Sequence, residues 1–254
     1  MGLRRVGNKK RLARKINAFF PKHSSYCELF FGAGGMFFNK LPVSEYNFLN
    51  DMDNDVINYW NVLKYRSSEM LDAFEELPIH QTLWQEFKIK RSSDEVSRAI
   101  EFLMLSNFGY LGMPETLRYS TGHDFGQTLK GMREVLKYFN RTSCKFLCHD
   151  FKSAIDVVYR SVRDPSTLFF YADPPYVGTH GNYNSFTIND LDDLIRLLLE
   201  TKCDFLISEF ASAEVIDLIK SHGLKYEEII ERATLKSVST ELVAYNYEIE
   251  GRLF

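Results

Sequence analysis

The chain of 254 residues is 45% hydrophobic and 26% charged, with a net charge of −3, which leaves room for one large α/β domain or a core domain with an insertion. No segment is long and apolar enough to cross a bilayer as a helix. Cys27, Cys144, Cys148 and Cys203 are scattered through apolar surroundings, which excludes a disulfide-stapled scaffold and suits reduced thiols in a cytoplasmic protein. The net charge makes no general case for nucleic acid, so the local distribution has to be read instead.

In chain order, the start MGLRRVGNKKRLARKINAFF carries Arg4, Arg5, Lys9, Lys10, Arg11, Arg14 and Lys15 without one acid. It has no apolar core ahead of a cleavage site and is not read as a signal peptide. Such a cluster is either a solvated helix face or a landing strip for a phosphate backbone. SSYCELFF predicts a first strand, followed at once by the turn GAGG and a short helix MFFNKL. EYNFLND is a second strand and DNDVINYWNVL a helix. Two further helical patterns, SEMLDAFEEL and SDEVSRAIEFLML, precede the glycine-rich stretch SNFGYLGMPETLRYSTGHDFGQ. Roughly eighty residues between neighbouring strands exceed what a crossover needs. The expectation is an inserted helical subdomain over 61–140, within a domain formed by 1–60 and 141–254.

CKFLCHD predicts the third strand, KSAIDVVYRSV a helix and STLFFYAD the fourth strand. TINDLDDLIRLLLET opens with a capping box, Thr187 and Asp190, and sets Leu191, Leu194, Ile195 and Leu198 on one face. CDFLISEF is a fifth strand, SAEVIDLIKSHG a helix stopped by Gly223, and YEEIIER with ELVAYNYEI a closing antiparallel pair. Repeated βα units ending in a hairpin predict an α/β fold, a mostly parallel sheet with helices on both faces. Cys144, Cys148 and His149 lack a second ligand pair and read as a strand edge rather than a zinc site.

Three strand ends carry chemistry. Gly32, Gly34 and Gly35 let the backbone turn tightly after the first strand and leave amides free at a helix start, although G-x-G-x-x-G itself is absent. Asp51 ends the second strand about twenty residues later, where a carboxylate can take both hydroxyls of a ribose. Its alternative is to cap the next helix, which Asp53 could do equally well. Asp150 ends the third strand, placed to accept from an adenine amino group with Phe151 alongside. The fourth strand, LFFYADPPY, ends in Asp173, Pro174, Pro175 and Tyr176, a combination no core strand needs. The prolines make a stiff bend without amide protons and leave their carbonyls to accept from something else.

Taken in order and spacing, RVGNKKRL, ELFFGAGG, FLNDMD, CHDF, DPPY, YNSFTINDLDDL and TELVAYNYE resemble the Dam-type (D12 class) DNA adenine N6-methyltransferases, in the subgroup with the cofactor motif first and the catalytic motif second. The resemblance implies a class I S-adenosylmethionine-dependent methyltransferase, a Rossmann-like fold with a C-terminal antiparallel hairpin. It implies eversion of an adenine from double-stranded DNA and methyl transfer to its 6-amino group, with S-adenosylhomocysteine as product and no metal. Asp173 and the Pro174 carbonyl would accept the two amino hydrogens, and Tyr176 would offer a face to the unstacked base. Cofactor contacts would come from Lys9, Gly32, Gly34, Asp51, Asp150, Phe151 and Asp173. Lys9 corresponds to the family's N-terminal lysine, although the tryptophan just before it is missing here; the other reading leaves Lys9 in the basic patch. Gly7 would let that segment approach closely. A restriction endonuclease as companion enzyme and a prokaryotic or phage-infected cytoplasm belong to the same expectation.

In that family the insertion reads the target. Here the stretch after SDEVSRAIEFLML keeps the glycine-rich, aromatic character of the recognition loop but neither of its motifs, FNG or N-x-P-F-G, which argues against GATC as the site. Phosphate contacts are expected from Lys88, Lys90 and Arg91, and from a second patch of Arg118, His123, Lys130 and Arg133. Arg118 is either a reader of a guanine edge or one more phosphate contact. Tyr110 and Tyr119 either wedge into the duplex or pack. Two other functions are compatible with the residues: an adenine methyltransferase acting on RNA, and a catalytically silent DNA-binding relative, against which the full set of motif acids weighs.

Overall fold

The computed structural model describes residues 2–5, 7–78, 81–110, 113–117, 125–178, 186–230 and 240–249, with backbone alone at 110, 113–116 and 230. A seven-stranded sheet is built from β1 (Ser25–Glu28), β2 (Tyr46–Asn50), β5 (Ser143–Leu147), β6 (Leu168–Ala172), β7 (Asp204–Phe210), β8 (Lys225–Ile230) and β9 (Thr240–Tyr245). Its order is β5-β2-β1-β6-β7-β9-β8. The first five are parallel, and β9 pairs antiparallel to both β7 and β8. The closing hairpin is therefore inserted backwards, its second strand next to the parallel set.

Alternation of side chains divides the core into two. Cys27, Phe170, Phe205, Ile207, Leu242 and Ala244 point to one face. It is covered by α7 (Phe151–Ser161), α8 (Ile188–Thr201) and α9 (Ala213–Ser221). Tyr26, Phe169, Tyr171, Leu206, Val243 and Tyr245 point to the other. There they meet the N-terminal segment, the short α1 (Ala13–Asn17) and α2 (Asn54–Tyr65). The predicted capping box of α8 is present, with Thr187 Oγ1 accepting from the Asp190 amide and Asp190 accepting from the Thr187 amide. That arrangement satisfies two donors a helix start otherwise leaves open.

Between β2 and β5 lie α3 (Ser67–Glu75), α4 (Gln81–Ile89), α5 (Glu95–Phe108), the two-stranded ribbon β3 (Gly109–Tyr110) and β4 (Met113–Leu117), and α6 (Phe125–Phe139). The chain pattern missed α4 and α6, and α2 runs across residue 60. Trp84, Leu103, Phe108 and Met132 from this stretch join Trp60 and Phe169 in one continuous apolar core. The expected helix MFFNKL is one 3-10 turn, Phe37–Asn39. Cys144 is buried on β5 and Cys148 lies exposed beyond its end. Among the described residues no helix is long and apolar enough to cross a membrane.

Candidate active site

β1 and β6 are parallel neighbours in register from Ser25↔Leu168 to Glu28↔Tyr171, with β2 on the far side of β1 and β7 on the far side of β6. The turns after β1 and β6 thus emerge side by side where the strand order reverses, the place where open α/β sheets form a crevice.

After β1, Gly32 and Gly34 have φ of +49° and +69°, conformations a Cβ disfavours. The Gly32 amide donates to Asp51 Oδ2 at 2.7 Å, and Trp60 Nε1 donates to the Gly32 carbonyl at 2.9 Å. A Cβ on Gly35 would sit 2.1 Å from Asn8 Oδ1 and 2.9 Å from the Lys9 amide. The turn is thus bare so that the protein's own N-terminal segment can cross it, and that crossing delivers Lys9 to the sheet rim. Gly7, expected to allow close approach, has open space around its Cβ position and a φ of +83°.

Asp53, not Asp51, caps α2, accepting from the Asp55 amide at 3.0 Å and pairing with Arg5 at 2.9 Å. Asp51 is left to the turn. It is buried, and its Oδ1 accepts from the Asp53 amide at 2.9 Å. Burial raises its pKa, while the Asp53 amide, Arg5 and the Gly32 amide oppose the rise. Asp150 caps α7, accepting from the Ser153 amide at 3.0 Å and the Ser153 hydroxyl at 2.8 Å. The Ser153 amide is the main cause of its lowered pKa. Phe151 is half-buried, 6.1 Å from Phe30 and 6.2 Å from Phe186 between ring centroids.

At the tip of β6, Asp173 Oδ1 stands 2.7 Å from Lys9 Nζ. Lys9 is buried, not part of a solvated patch. Its ammonium also donates to the Tyr176 hydroxyl, which donates in turn to Glu241 Oε2 at 2.9 Å. Phe210 lies against the Tyr176 ring, centroids 3.7 Å apart and tilted by 35°. Burial alone would lower the Lys9 pKa, but Asp173, Glu241 and Tyr176 together raise it above that of a free lysine. Burial raises Asp173 against the pull of Lys9. Glu209 adds a further buried carboxylate, its Oε1 accepting from the Phe210 amide at 2.8 Å. Asp173 and Glu241 therefore share one ammonium.

Glu209, Phe210 and Glu241 have no counterpart among the sequence-based candidates. Their visible signal is an acid within or opening an otherwise apolar strand, in LISEF and ELVAY. The expected nucleic-acid residues belong to other elements. Lys88, Lys90 and Arg91 are exposed at and just beyond the end of α4, and Arg91 and Arg98 both pair with Asp55. Lys130 and Arg133 are exposed on α6, with Arg133 paired to Glu75 at 2.5 Å. Arg118, Tyr119 and His123 fall outside the described residues, as does the side chain of Tyr110.

The family of D12 class N6 adenine-specific DNA methyltransferases matches residues 6–238. A DNA adenine methylase of Escherichia coli strain K12 is 28% identical over 269 aligned positions, covering 96% of this chain and 94% of that protein. One from Haemophilus influenzae is 26% identical, covering 94% and 85%. Among solved structures, a SAM-dependent methyltransferase from Agrobacterium tumefaciens superposes with a TM-score of 0.45 at 11% identity, over 95% of this chain and 61% of that one.

Proposed function

The chain belongs to the D12 class N6 adenine-specific DNA methyltransferases, and from that premise we propose how its residues serve the reaction. A target adenine, everted from duplex DNA, enters the rim beside Asp173, and its 6-amino nitrogen is methylated. The carrying observation is the carboxylate of Asp173 at the tip of β6, held by Lys9 beside the glycine turn of β1. Its Oδ2 and the Pro174 carbonyl accept the two amino hydrogens. That draws the nitrogen toward a tetrahedral shape and frees its lone pair, which ring delocalisation otherwise withholds. Positive charge grows on the nitrogen during transfer, so a fixed carboxylate and carbonyl dipole stabilise the transition state more than the ground state. Tyr176, backed by Phe210, receives the base on its other face and replaces the stacking lost on leaving the duplex.

S-adenosylmethionine supplies the methyl group as an electrophilic carbon on a positive sulfonium. The donor set fits a cation: Asp173 and Glu241 share a single ammonium. In our reading Asp51 and the turn it holds at Gly32 and Gly34 take the ribose. Asp150 uses lone pairs not engaged by Ser153 for the adenine end, Phe151 flanks it, and Lys9 lies toward the methionine end. Residues 61–140 act as the target-recognition subdomain. Lys88, Lys90, Arg91, Lys130 and Arg133 meet phosphates there, and Arg118 meets a base edge or a phosphate. A restriction endonuclease as companion and a cytoplasmic setting, supported by the bacterial sources of the matched relatives, complete the proposal.

The test is transfer of labelled methyl groups to duplex DNA and to RNA, with nucleoside analysis of the products. N6-methyladenine in duplex DNA is the expected result; label in RNA alone would hand the reading to an RNA methyltransferase.

A further inference from the structure

Glu241 is the second residue of β9 and is 3% exposed. Because β9 runs against β7, its first residues arrive at the rim where the parallel strands end. In register Glu241 faces Phe210 on β7 and Ile229 on β8. Its Oε2 accepts the Tyr176 hydroxyl at 2.9 Å. Its Oε1 stands 3.2 Å from Lys9 Nζ and has no hydrogen bond among the described residues. The titratable groups around it are Lys9 from the N-terminal segment, Asp173 and Tyr176 from the turn after β6, and Tyr171 from β6 itself. On β7, Ser208 and Phe210 share its face, with Glu209 on the opposite face of the strand.

We propose that Glu241 is a positioning residue for methyl transfer: it fixes the Tyr176 ring through the hydroxyl and offsets the Lys9 charge, so that Asp173 presents net negative charge to the amine. The inference rests on the functional reading above. Taken alone, an ammonium 2.7 Å from Asp173 would cancel that carboxylate and oppose the positive charge arising on the nitrogen. A second carboxylate on the ammonium's other side leaves the three groups with a surplus of one negative charge. The ring needs the same residue. Phe210 packs against the Tyr176 ring and Lys9 donates to its hydroxyl, while Glu241 accepts that hydroxyl's own proton and so sets the direction of the O–H bond. Burial pushes Glu241 up to about 7, with Lys9 opposing the rise and Asp173 adding to it, so the surplus charge is lost and regained near neutrality.

Glu241→Gln keeps the side-chain length and an oxygen for the Tyr176 hydroxyl but removes the charge; Glu241→Ala removes both. Methylation of duplex DNA is followed across roughly pH 5.5 to 9, the range over which a neutral-range acid limb is visible. Wild-type kcat should rise through about pH 7. In Glu241→Gln that limb should vanish, with kcat lower by on the order of tenfold or more and KM for DNA within about twofold. Carbon-13 carboxylate resonances of the protein without DNA should lose one group titrating in that range. In Glu241→Ala, 2-aminopurine at the target position should also show altered stacking. Should the alanine variant fail to fold, the glutamine variant decides alone. A Glu241→Gln enzyme with wild-type kcat, an unmoved limb and an unaltered carboxylate titration overturns the proposal. A wild-type protein that puts no methyl group on DNA adenine overturns the functional reading instead, while the carboxylate titration still reports on Glu241.

Discussion

Asp51 Oδ2 accepts the Gly32 amide at 2.7 Å, so the acid that ends β2 is bonded to the turn that ends β1. One residue thereby does two jobs in our reading, offering lone pairs to a ribose and holding the turn on which the rest of the cofactor lies. Asp51→Ala should weaken S-adenosylmethionine binding by about tenfold or more. It should also lower stability by about 1 kcal/mol, because two part-buried amides lose their acceptor. Titration calorimetry on the folded variant checks the first expectation and urea denaturation the second. An unchanged cofactor affinity would remove Asp51 from the site.

Asp173→Ala separates chemistry from binding. Lys9 still has Glu241 within ion-pair distance, at 3.2 Å, so the cluster keeps a counter-ion and the fold should survive. The amine loses its charged acceptor, and kcat should fall by roughly a thousandfold or more, while cofactor affinity changes by only a few-fold. Methylation at near wild-type rate in this variant would end the case for a carboxylate clamp at the β6 tip.

What was legible in the sequence followed from local periodicity. The continuous apolar run Leu168, Phe169, Phe170, Tyr171 marks a strand buried on both faces, and the Thr187–Asp190 pair marks a helix start. The strand ends bearing Asp51, Asp150 and Asp173 follow once the strands are known. Partnership was not legible. Lys9 and Tyr176 are separated by 167 residues and Tyr176 and Glu241 by 65, and no local pattern encodes such distances. Glu241 in ELVAY looks like an ordinary polar strand start until the antiparallel position of β9 turns it inward. In α4 only Trp84 is fully buried, so the apolar stripe that announces a helix is nearly missing there.

Lys88, Lys90 and Arg91 form an exposed group on the rim of the inserted helices. If they meet phosphates, replacing all three with alanine should reduce the slope of log K against log salt. Each phosphate contact contributes about 0.9 to that slope. Three contacts would bring the total reduction to at most about 3. Fluorescence anisotropy of a labelled duplex over a range of salt concentrations measures it. An unaltered slope assigns the three to the solvated surface.

Glu209 gives the site a pH-dependent stability. An ordinary glutamate ionises near 4.5, but burial pushes Glu209 up to about 8. The Phe210 and Val177 amides hold it down, Asp173 raises it further, and Lys9 opposes. Its Oε2 has no hydrogen-bond partner among the described residues. Below about pH 4.5 the folded and unfolded chains both keep the proton and the residue is neutral in its effect. Between there and about 8 the unfolded chain releases a proton that the folded chain retains, so stability drains away as the pH rises. Glu209→Gln holds no proton to lose. Its stability relative to wild type, read from the melting curves, should therefore climb steadily between pH 5 and 8, and the free-energy gap should reach the order of a few kcal/mol at most. Calorimetric scans at closely spaced pH values across that window test the expectation, and parallel wild-type and variant curves would show that Glu209 is ionised as easily in the folded protein as in water.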